Sequence, residues 1–131
     1  MIKDILDIAR TLFGLRGKLR EARRDRRDRI ADYFDNISLT VQEVANSLKK
    51  DEIPHGKCEE MAVYADMLTD TVGDEIGLEK AQELSNRLKE AHEVELIIME
   101  IRDDSDKESK IAQLEKASGL FKALANSIRA T

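Results

Sequence analysis

A chain of 131 residues with one cysteine, Cys58, no tryptophan and 37% charged residues is long enough for one buried core and excludes an internal disulfide framework. No apolar run approaches the roughly 18–20 residues that cross a bilayer. The net charge is −5 but unevenly placed: residues 1–29 sum to +5 and the remainder to −10, a dipolar layout that favours head-to-tail pairing of copies or folding of the basic end onto the acidic body.

The first expected element is an amphipathic N-terminal helix within residues 1–15. Ile2, Ile5, Leu6, Ala9, Leu12 and Phe13 share one side, and Lys3, Asp4, Asp7 and Arg10 fall mostly on the other. Asp4 and Asp7 interrupt the apolar segment and no small-residue cleavage site follows, so it does not read as a secretory signal. Gly14 and Gly17 bracket Leu15 and Arg16. Each glycine costs a helix interior about 1 kcal/mol relative to alanine. One helix over residues 2–50 would measure about 73 Å, so a break is expected at 14–17.

A second helix is expected over 18–50. Its start is basic: Arg16, Lys18, Arg20, Arg23, Arg24, Arg26, Arg27 and Arg29 outnumber Glu21, Asp25 and Asp28. Leu19 and Ala22 begin an apolar stripe, Arg26 interrupts it, and Ile30, Phe34, Ile37, Val41, Val44 and Leu48 resume it. Pro54 forces Ile53 into extended backbone and can open the next helix. That helix, 54–72, carries Cys58, Met61, Ala65, Leu68 and Val72 on one face, with Gly73 as its C-terminal cap and Ile76 folding inward from a short turn.

A fourth helix over 78–102 aligns Ala81, Leu84, Leu88, Ala91, Val94, Ile98 and Ile101, and Leu96, Ile97 and Met99 widen its apolar arc. Ser105 and Glu108 have capping-box spacing ahead of a fifth helix over 106–130. It presents Ile111, Leu114, Ala117, Leu120, Phe121, Leu124 and Ile128, with Gly119 expected at a close helix contact. No strand-like alternation occurs. Short loops between such helices predict a single all-α domain over 1–131: an antiparallel up-down helical bundle of four main helices plus the N-terminal amphipathic helix.

The chain is poor in reactive patterns. His55 and Cys58 are spaced His-x-x-Cys beside Glu59 and Glu60, but a zinc site needs three or four ligands, and His92 is the only other histidine. A di-iron bundle would repeat Glu-x-x-His, whereas Lys89 stands three residues before His92. Cys58 lies in an apolar stripe and reads as a buried thiol rather than a reactive one. Glu59, Glu60, Asp66, Asp70, Glu93 and Glu95 read as solvated helix faces. Phosphate-binding glycine loops and Gly-x-Ser-x-Gly are absent. No catalytic residue, metal ligand set or cofactor is expected, and the chain does not read as an enzyme.

The basic segment is the functional lead. Its plainest reading is a solvated helix supported by the pairs Glu21–Arg24, Arg24–Asp28 and Asp25–Arg29, each worth a few tenths of a kcal/mol. A second reading joins it to the apolar face of residues 2–13 as a two-part attachment to anionic membrane. Nucleic acid ranks third, because the body is acidic and the run has no stacking aromatics.

In general plan the layout looks like helical modules at the ends of larger signalling or immune-type proteins, a likeness carried by no diagnostic residue. The expected function is therefore a non-catalytic interaction domain in a cytoplasmic setting. It binds a protein partner or a second copy through helix faces and the basic run, with peripheral membrane association as the alternative.

Overall fold

Leucine, isoleucine and alanine at helical spacing need a facing surface, and neighbouring helices supply it. The computed structural model describes residues 2–102 and 106–130. The described residues are all-helical, without a strand: α1 (Ile2–Gly14), α2 (Arg16–Arg20), α3 (Arg24–Lys49), α4 (His55–Ile76), α5 (Leu78–Ala91), α6 (Val94–Arg102) and α7 (Lys107–Arg129). Five long helices form a ring in the spatial order α3, α7, α1, α5, α4, each packed on two others. One continuous apolar core fills it, with Phe34, Ile37, Met61, Leu68, Leu84 and Phe121 among its fully buried side chains.

Four expectations change. First, α1 joins the four main helices as a fifth member of the ring. Its face of Ile2, Ile5, Leu6, Ala9 and Leu12, joined by Ile8, is buried between α5 and α7, with Phe13 half-buried at the edge.

Second, the expected helix over 18–50 is two helices. A turn falls at Leu15 as the glycines suggested, but Gly17 lies inside α2 and a further break follows at 21–23. Arg23 is extended there, at φ −61° and ψ 152°. The break lets α2 turn across the end of the ring and bury Leu19. Arg20 then donates to the Ser127 carbonyl at 3.1 Å and to its hydroxyl. A guanidinium thus covers a carbonyl in the last turn of α7, where the helix dipole favours a cation.

Third, the expected helix over 78–102 breaks at His92 and Glu93. This turns α6 toward the end of the ring opposite α2, where Ile97 is buried. The Glu100 carboxylate holds it there, accepting from the Ile2 backbone N–H at 3.0 Å and pairing with Lys110 at 2.8 Å.

Fourth, α4 runs on to Ile76, past the expected stop at 72. Gly73 lies within it rather than capping it, and an added Cβ would sit 2.9 Å from the Leu78 side chain. The cap is Gly77, whose φ of +94° suits glycine. Gly119 is exposed and an added Cβ would meet nothing within 4 Å, so close packing does not explain it. The expected capping box involves Ser105, which lies outside the described residues.

Side chains give the sense of several pairings. Arg129 meets Asp32, Lys122 meets Asp35 and Lys49 meets Glu115, so α3 and α7 run in opposite directions. Thr40 with Glu60 and Arg26 with Glu75 do the same for α3 and α4. Ser85 donating to the Ala65 carbonyl, with Lys89 beside Asp66, does so for α4 and α5.

Candidate functional site

The basic segment does not act as one block. Arg26 is drawn inward. Its Nη2 and Nε meet the two Glu75 oxygens at 2.7 and 3.0 Å, and Nη2 also donates to the Thr71 carbonyl at 3.0 Å. Hydrogen bonding to Glu75 raises its pKa further, against the opposing effect of burial. The residue that interrupts the apolar stripe thus ties α3 to α4 and is spent within the fold. Arg16 lies over the Phe13 ring at 4.4 Å and donates to the Phe13 carbonyl at 2.9 Å. Arg20 is engaged with Ser127 as described above.

Arg23 reaches only Asp25 among the described residues, at 4.0 Å. Lys18, Arg24, Arg27 and Arg29 form no ion pair among the described residues, and all but the half-buried Arg27 are exposed. The expected pairs Glu21–Arg24, Arg24–Asp28 and Asp25–Arg29 do not form. The break at 21–23 removes Glu21 from the helix that carries Arg24, so their i,i+3 relation is lost.

Beside this segment, α3 and α4 stand apart over a groove of about 410 Å³. Ile30, Tyr33, Tyr64 and Met67 line it, with Arg29 on the α3 bank and Asp70 on the α4 bank. Tyr33 is buried against Phe34 and Tyr64, at ring centroid distances of 5.2 and 6.1 Å. Its hydroxyl donates to the Tyr64 carbonyl, and burial pushes its pKa well above that of an ordinary phenol. Of the exposed apolar residues of these two helices, Leu39, Val63 and Met67 at 60, 59 and 45%, Met67 lines the groove. The sequence reading missed this groove. Its one available signal was that Met67 falls off the α4 stripe.

At the opposite end, Glu52, Glu59, Glu90, Glu93 and Glu95 are exposed and form no ion pair among the described residues. Glu60, half-buried, is engaged by Thr40, Tyr64 and Lys57. Burial pushes its pKa up, but Lys57, Thr40 and Tyr64 outweigh that and hold it below the usual carboxylate range.

His55, Cys58 and His92 line one hollow of about 250 Å³. No group of three or more metal-ligating side chains occurs among the described residues. Burial pushes the Cys58 thiol up to about 11, away from reactivity. His92 is 2% exposed. Its Nδ1 lies 3.0 Å from the Leu88 carbonyl and its Nε2 has no partner among the described residues. Burial lowers its pKa to about 4, against the pull of that carbonyl. No helix among the described residues is long and apolar enough to cross a membrane.

No protein-family model, curated protein or solved structure matches this chain.

Proposed function

We propose that the chain is a non-catalytic interaction domain, an up-down antiparallel helical bundle that binds an acidic protein surface through its basic segment, as a module of a signalling-type protein. The observation that carries this reading is the set Lys18, Arg24, Arg27 and Arg29, which has no ion pair among the described residues. A second copy fits the partner chemistry, because its far end offers the unpaired Glu52, Glu59, Glu90, Glu93 and Glu95. Opposed charge of this kind speeds encounter and selects orientation. Sedimentation of the full chain tests it. Association is expected at low salt, weakening as salt rises and lost in Arg24→Glu/Arg27→Glu. A monomer at high protein concentration and low salt ends self-association.

An anionic membrane is the second reading, favoured by the same unpaired cations, which follow α1 closely along the chain. Each contributes about 1 kcal/mol near an anionic surface. The apolar face needed for insertion is buried in the ring, so α1 would have to leave it. Flotation with anionic liposomes decides: no binding, or binding unchanged by deletion of residues 1–15, removes this mechanism.

A further inference from the structure

We infer that the groove between α3 and α4 receives α6 of a second copy of this chain. The inference rests on the interaction-domain reading and commits it to one seat and one occupant. On the receiving side, four charged residues line the groove around an apolar floor of Ile30, Tyr33 and Met67; Arg26 is held by Glu75 and Asp32 by Arg129, which leaves Arg29 on α3 and Asp70 on α4 as the charges of its two banks unpaired among the described residues. The order across the groove is cation, apolar surface, anion. On the entering side, the outward face of α6 carries Glu95, Met99 and Arg102, spaced i, i+4 and i+7. These three stand in one line about 10 Å long. The order along it is anion, apolar side chain, cation.

Neither Glu95 nor Arg102 has an ion pair among the described residues, and Met99 is 58% exposed. The two surfaces match charge for charge when Glu95 meets Arg29 and Arg102 meets Asp70. Met99 then lies in the groove against Tyr64 and Met67. A flexible thioether suits an irregular, aromatic-lined hollow.

A chain does not fill its own groove this way. The groove is centred near Tyr33, whereas α6 lies at the end of the ring where α3 finishes, near Leu48. Those positions are about 22 Å apart along α3. The contact is therefore between copies and heterologous, leaving one groove and one α6 unfilled in every pair. Such contacts propagate into open chains or rings rather than stopping at a dimer.

Sedimentation velocity of the full chain at low salt tests the inference, with helical circular dichroism confirming that each variant folds. The wild type is expected to grow past the dimer as concentration rises. Met99→Glu places a charge on the apolar floor and is expected to weaken association about tenfold or more. Arg29→Glu and Glu95→Arg each set like charges together and are expected to weaken it about tenfold. An equimolar mixture of these two variants regains opposite charges at every contact, and association should return. Folded single variants that associate like the wild type, or a mixture that stays dissociated, overturn the inference. Association lost in Arg24→Glu/Arg27→Glu but unmoved by Met99→Glu and Glu95→Arg ends this seat and leaves the interaction-domain reading standing. A wild-type monomer at high concentration ends this seat and self-association together, leaving only an acidic partner other than a second copy.

Discussion

The two flanks of α3 are built to opposite ends. Toward α7 the helix presents Ala31, Ser38 and Ala45, small residues seven apart, all buried. Ser38 Oγ donates to the Ser118 carbonyl at 2.8 Å, and Ser118 Oγ returns the bond to the Ser38 carbonyl at 2.8 Å. In that register Ala31 falls opposite Ala125. Small side chains let the two backbones close, and Phe34 stacks on Phe121 at 6.2 Å beside the seam. Toward α4 the same helix presents Ile30, Tyr33 and Asn36, and a groove stays open. One helix therefore makes a sealed seam with one neighbour and a recess with the other, and residue size decides which.

The comparison can be broken most directly at the seam. Phe34→Ala removes a fully buried ring and should lower stability by about 3–5 kcal/mol in chemical denaturation. A loss near 1 kcal/mol would mean that the seam collapses to refill the space.

A pH titration sets both flanks against the junction of α5 and α6. Unfolded, His92 takes a proton near pH 6.5, whereas folded it does so only near about 4. The unfolded state thus holds more protons between those values, so stability is full above about pH 6.5 and falls as pH drops toward 4. Roughly 3 kcal/mol is lost across that window. His92→Gln should flatten this part of the profile, and a dependence that persists would assign it to other groups.

At the edge of the groove, Glu75→Ala leaves Arg26 half-buried without its carboxylate. It should cost about 1–3 kcal/mol, measured the same way. The smallest effect belongs to the exposed face of α4 beside the groove. Val63→Ser should change stability by no more than about 0.5 kcal/mol. A larger loss would mean that this face is covered in solution.

How far these features could be read from residues alone differs by kind. The stripes of α3, α4 and α7 were legible because a repeat of apolar residues at helical pitch reports its own burial. The break at His92 was not. Leu88, Ala91, Val94, Ile98 and Ile101 keep their spacing straight through it, and only the ring's open end explains why the chain turns. The role of Arg26 was hidden for a related reason. Nothing local separates it from Arg24 or Arg27, and what distinguishes it is Glu75 on another helix. The groove was invisible because emptiness between two helices depends on their separation, which no single stripe encodes.

The position of α1 also bears on how the protein is made. This helix leaves the ribosome well before the partners that cover it, since α5 starts at Leu78 and α7 at Lys107. At about 5–20 residues per second, Ile2, Ile5 and Leu12 wait on the order of 5–20 s in water before α7 is available. During translation the nascent chain therefore carries an uncovered apolar helix that a holding chaperone, or a neighbouring nascent chain, can occupy. Finishing the ring brings α1 onto α7, far along the chain, a long-range closure that slows folding relative to bundles joined only through successive hairpins.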